Sequence, residues 1–118
     1  MNLTSADRLT IDTELGHAAE ALKEGNDGKA RVCARRAAGV ALRSWFQSRG
    51  RATGPLSAQL LLKLASEDYA LPEDVRRIAG RLAAQAGDPD PENRSADPIA
   101  EARAIIGAIE SLPGRRDG

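Results

Sequence analysis

Side chains that commonly carry chemistry are thinly supplied in this 118-residue sequence, which has one histidine, His17, and one cysteine, Cys33. A lone histidine excludes a His-pair zinc site. A lone cysteine excludes both an internal disulfide and a cysteine-based metal cluster. His17 is the only side chain that ordinarily titrates near neutral pH, so it is the one candidate general base. No serine or cysteine nucleophile stands at a recognisable spacing from it. It falls beside Thr13 and Glu20, opposite the apolar stripe of its helix, and is expected to be a dispensable surface residue. Cys33 has Lys29 and Arg36 nearby, and such cations lower a thiol pKa, but its place on an alanine face marks a small buried residue. Asp88, Asp90, Glu92 and Asp97 form an acidic run interrupted by Pro89 and Pro91. It lacks the glycine and terminal glutamate of a calcium loop, so it reads as a linker. No glycine-rich phosphate loop, nucleophile elbow or paired-carboxylate motif occurs. Neither a metal nor a cofactor is expected, and the reading is non-enzymatic.

The remaining chemistry is charge. Basic and acidic residues number 17 each, giving no net charge, yet they are segregated along the chain. Residues 1–27 carry two basic and six acidic side chains, and residues 67–118 carry seven and eleven. Residues 28–66 carry eight basic side chains and no acidic one. Arg31, Arg35, Arg36 and Arg43 lie within this block, and Arg36 and Arg43, seven apart, stack on one helical face. Two accounts fit. These arginines present a surface for a nucleotide or RNA, since a guanidinium grips a phosphate with two donors. Alternatively, they pair with Asp12, Glu14, Glu20 or Glu24 on a neighbouring helix, as surface charge runs commonly do. Aromatic residues are only 3% of the chain, too few for a platform that stacks single-stranded bases.

The elements that position these residues are all helical. Apolar residues recur near every 3.6 positions, strict alternation is absent, and β-branched residues are scarce. A first helix is expected from Thr4 or Ser5 to Glu24, with Ile11, Leu15, Ala18, Ala19 and Leu22 inward and Gly25 as its stop. The second, about Lys29 to Ser48, is the longest and central. One side carries Ala30, Cys33, Ala34, Ala37, Ala41 and Trp45; another carries Val32, Leu42 and Phe46. A third, about Leu56 to Ser66, bears leucines nearly all round and should be buried on several sides. A fourth spans about Pro72 to Ala86 with Gly87 ending it, and a fifth Pro98 to Leu112, opened by an Asp97-Pro98 cap.

The fold class expected is all-α: one domain over 1–118, an up-and-down antiparallel bundle of four main helices, one of them broken into two short ones. Its ordered core covers about 5–112, with a flexible connector at 87–97 and a frayed tail at 113–118. Covering both apolar strips of the second helix is hard for short neighbours. Homodimerisation through Val32, Leu42 and Phe46 is therefore expected, against the competing account in which the third helix covers them. No segment is apolar enough to span a membrane, and the first residues lack a signal-peptide pattern, so a cytoplasmic location is expected.

The acidic first helix, the basic alanine-rich segment Ala30-Arg31-Val32-Cys33-Ala34-Arg35-Arg36-Ala37-Ala38-Gly39-Val40-Ala41-Leu42, the short leucine-rich helix and the Asp97-Pro98-Ile99-Ala100-Glu101-Ala102 opening of the last helix follow one another in a familiar order. Over residues 6–112 the chain resembles the HEPN superfamily of helical nucleotide-binding domains. The resemblance implies an up-and-down bundle, often dimeric, that acts on or near nucleotides or RNA, in some members as the partner of a nucleotidyltransferase. Ribonuclease members carry an arginine followed by four to six residues and a histidine. Here eight residues separate Arg8 from His17, so the resemblance implies a non-catalytic member. The alternative is a homodimeric, antitoxin-like interaction module with no ligand of its own.

Overall fold

The computed structural model describes residues 1–84 and 97–113. Among the described residues the protein is all-helical, with five helices and no strand. None of these helices is long and apolar enough to cross a membrane. The expected Gly87 stop, the acidic run apart from Asp97, and most of the tail lie outside the described residues.

Helix α1 (Ser5–Lys23) begins where a capping box fixes it. The Thr4 hydroxyl accepts from the Asp7 amide at 3.0 Å, and the Asp7 carboxylate accepts from the Thr4 amide at 3.4 Å. It ends at Gly25, whose φ of 76° suits a residue without Cβ. There the Gly25 amide donates to the Leu22 carbonyl at 3.0 Å and the Asn26 amide to that of Ala21 at 2.8 Å, the paired bonds of a Schellman motif. Asn26 then accepts from the Lys29 amide at 3.0 Å and caps α2 (Asp27–Ser48). Closing one helix and opening the next within so few residues turns the chain back, and α1 packs against α2. α2 closes with the same motif at Gly50, φ 79°.

Ser57 caps the short α3 (Ala58–Ser66). α4 (Glu73–Ala83) follows Pro72, with Glu73 and Asp74 favourably placed in its first turn. α5 (Pro98–Ser111) starts as its Asp97-Pro98 sequence dictates, Asp97 accepting from the Ala100 amide at 3.1 Å.

α2 is the central element: α1, α5 and α3 pack along it, α4 packs on α3 and α5, and α1 scarcely touches α5. Its buried side is built from Ala30, Cys33, Ala34, Ala37, Ala38 and Ala41, closed at one end by Trp45 and Phe46. Small side chains let the neighbours approach closely. The tightest approach is at Gly39, where an added Cβ would sit 2.8 Å from that of Ala58.

Three expectations change. Leu42 and Phe46 are 0% and 1% exposed, in one core with Leu61, Leu62, Leu71 and Val75, so the second strip of α2 is covered within the chain. Of the expected dimer surface only Val32, 40% exposed, faces solvent. On α1 the inward face is Ile11, Leu15, Ala18 and Ala21; Ala19 and Leu22 are exposed because α2 alone covers that length. α3 buries Leu61 and Leu62 but leaves Leu60 exposed, because it lies in an outer layer on α2.

Gly39→Ala is expected to lower unfolding free energy by about 1–3 kcal/mol through overpacking against Ala58. Gly16→Ala, in α1 with nothing near its Cβ position, should raise it by about 0.5–1 kcal/mol. Urea denaturation of the two variants checks both signs.

Candidate anion-binding site

The arginines of α2 have diverse surroundings. Arg35 is half-buried: its Nε donates to the Leu82 carbonyl at 2.7 Å and its Nη2 to that of Ala84 at 2.5 Å. These are among the carbonyls that a helix end leaves without partners, and α4 ends there in the extended residue Ala84. The Gln59 amide nitrogen donates to the intervening Ala83 carbonyl at 2.8 Å. Side chains from α2 and α3 thus cap α4 together. Desolvation by burial, and then the charge of nearby Arg31, hold the Arg35 guanidinium below its usual pKa.

Arg43 ties down the loop before α3, donating from Nη1 to the Gly54 carbonyl at 2.7 Å and from Nη2 to that of Leu56 at 2.5 Å. Its Nη1 also reaches the buried Thr53 hydroxyl at 3.4 Å, which Gln47 bonds at 3.1 Å. Neither Arg35 nor Arg43 offers a free fork to phosphate, and neither uses a carboxylate of α1. Carbonyl oxygens take their donors, a use for which helix periodicity gives no signal. Arg31 is half-buried beside Arg35, while Arg36 is exposed. Arg35 and Arg43 thus reach different elements, the end of α4 and the loop before α3.

Cations do converge elsewhere. Between α3 and α4 runs an open groove of about 700 Å³, with Lys63 on one wall and Arg77 and Arg81 on the other. Ser57, Gln59 and Ser66 add polar groups, and Glu67 is its one acidic lining residue. Lys63 is exposed. Arg77 is exposed too, held only loosely by Glu73 at 3.9 Å. Arg81 is anchored by Glu101 of α5 at 3.2 Å, so its charge is partly spent within the fold. Gly80 and Ser66 both line it, and a Cβ added at Gly80 would meet that of Ser66 at 3.6 Å, an ordinary contact. The third arginine of α4, Arg76, lies over the ring of the exposed Tyr69 at 4.3 Å.

Block counting of charge hides this site, since α4 lies in a flank with an acidic excess. Arg77 and Arg81, four apart on one helix, are the signal that could have found it.

His17 is exposed, its Nδ1 3.9 Å from a Glu14 carboxylate oxygen, and Cys33 is buried. Among the described residues, no three His, Cys, Asp or Glu side chains gather as a metal ion would require. No family model, curated protein or solved structure matches this chain.

Arg35→Met should destabilise the protein by about 1–3 kcal/mol, because it strips partly buried carbonyls of charged donors. Arg36→Met should stay within about 0.5 kcal/mol of the parent. Denaturation midpoints of the two variants measure the contrast.

Proposed function

We propose that this protein is a non-catalytic, HEPN-like helical module that binds a phosphate-bearing ligand, a nucleotide or a short stretch of RNA. In this reading α3 and α4 stand where an up-and-down bundle has its fourth helix, and the groove between them is the binding site. The observation that carries it is the convergence of Lys63, Arg77 and Arg81 on one groove. Its volume falls within the roughly 300–1,000 Å³ of small-molecule sites. Lys63 supplies a mobile point charge, while the planar Arg77 fork can hold two phosphate oxygens once it leaves Glu73. Gln59 is occupied by the Ala83 carbonyl and shapes the wall. The exposed Arg36 on α2 is a secondary contact for a longer strand, and a nucleotidyltransferase-type partner fits the same reading.

Titration of a labelled nucleotide and a short RNA at two salt concentrations tests this. Binding should weaken steeply with salt, and the RNA slope should become shallower by about 0.7 for each phosphate that a substitution releases. Lys63→Glu and Arg77→Glu should each reduce affinity about tenfold or more, since each replaces a charged donor by a repelling carboxylate. Arg36→Glu should change it less. Absence of binding to both probes refutes the proposal, and loss in Arg36→Glu alone would move the site to α2.

A further inference from the structure

The groove between α3 and α4 holds one group that the binding of phosphate leaves unused. Its uncharged polar side chains are already bonded within the fold. Ser57 accepts from the Leu60 amide at 3.2 Å, Gln59 donates to the Ala83 carbonyl at 2.8 Å, and Ser66 donates to the Lys63 carbonyl at 2.6 Å. The Glu67 carboxylate is not. It is exposed, lines the groove with Lys63, Arg77 and Arg81, and makes no hydrogen bond or ion pair with the described residues. Even Lys63, four positions before it, is not its partner. Nor does its charge serve the fold. Glu67 is the C-cap of α3, and the carbonyl end of a helix carries a partial negative charge that disfavours an anion. Towards a bound phosphate the carboxylate is repulsive as well. Both costs are offset when the ligand brings hydrogen-bond donors to it.

We infer, on the reading of this groove as a phosphate site, that its ligand is a guanine nucleotide, free or as one residue of an RNA strand, with Glu67 accepting from the base. The two oxygens of a carboxylate accept two parallel donors, as they do from an arginine fork. On its Watson–Crick edge only guanine presents such a pair, N1–H and the N2 amino group. Adenine and cytosine place one amino group beside a ring nitrogen, whose lone pair repels the second oxygen. Uracil sets its N3–H between two carbonyls, which repel both. Lys63 and Glu67 stand about one helical turn apart, which places their Cβ atoms about 5–6 Å from each other. The length of the two side chains lets one hold the phosphate while the other meets the base edge, so a single ligand uses both signs of charge in the groove.

Titration of the full chain with guanosine, adenosine, cytidine and uridine monophosphates, and with inorganic phosphate, tests this. Guanosine monophosphate should bind about tenfold tighter than the other three, the discrimination that one bidentate base contact gives. Glu67→Gln should remove the preference, because the amide sets a donor against one of the two donors of guanine. Inorganic phosphate should bind that variant as well as the parent or better, since a repelling charge is gone. The variant should keep its helical circular dichroism and its denaturation midpoint, because the carboxylate has no partner among the described residues and sits at a helix C-terminus. A preference seen only between a short RNA holding one guanine and its all-adenine counterpart, and lost in Glu67→Gln, supports the inference and assigns a strand in place of the free nucleotide. Equal affinity for all four bases in both forms overturns the inference and leaves the phosphate site standing. So does a guanine preference that survives Glu67→Gln. Absence of binding to every probe, inorganic phosphate included, overturns both.

Discussion

Close approach to α2 is the constraint on which the rest of the structure depends. A helix lined with alanine and one glycine offers little side-chain volume of its own, so its stabilisation must come from neighbours that press against its backbone. Gly39 shows how near they come, with Ala58 occupying the space a Cβ would need. Large side chains enter mainly from outside: Leu61 and Leu62 from α3, Val75 and Leu82 from α4, Ile105 and Ile109 from α5. α2 contributes bulk mainly at its C-terminal end, through Leu42, Trp45 and Phe46. The arginine-rich faces follow from the same arrangement. Where the spine is narrow, a long side chain can reach past it to a neighbouring element, as Arg35 does to the end of α4 and Arg43 to the loop before α3.

Much of this fold is legible in the sequence because its boundaries are set by local chemistry. Thr4, Gly25, Asn26, Ser57 and Asp97 act within three residues of themselves, and the chain turns where they stand. The faces are less legible. Leu22 and Ala19 share the periodicity of Leu15, yet no neighbour extends over them. Leu42 and Phe46 look like an uncovered strip until α3 is known to lie across α2. Periodicity reports which side of a helix is apolar; it says nothing of how far each neighbour reaches.

The candidate site was least legible, for an electrostatic reason. Charge counted along the chain makes 28–66 basic and its flanks acidic, and this points to α2. Charge in space is different, because the donors of Arg35 and Arg43 are consumed by backbone oxygens whose positions only the tertiary structure fixes. The cations that face the groove come instead from two short helices. One of these, α4, keeps its acids in the first turn and its arginines further along, so its groove wall is basic although the surrounding sequence is acidic.

The junction at Gly25 and Asn26 also bears on the entropy that assembling the molecule costs. Because α1 and α2 meet through two overlapping caps, their contacts are short-range in sequence and closing the loop between them costs little entropy. α5 packs on the same spine from across the whole α3–α4 segment in sequence, and its far end lies beside the first residues, where the Met1 ammonium donates to the Glu110 carbonyl at 2.9 Å. The helical hairpin α1–α2 therefore carries a lower loop-closure cost than the docking of α5, which holds the two ends of the described fold together.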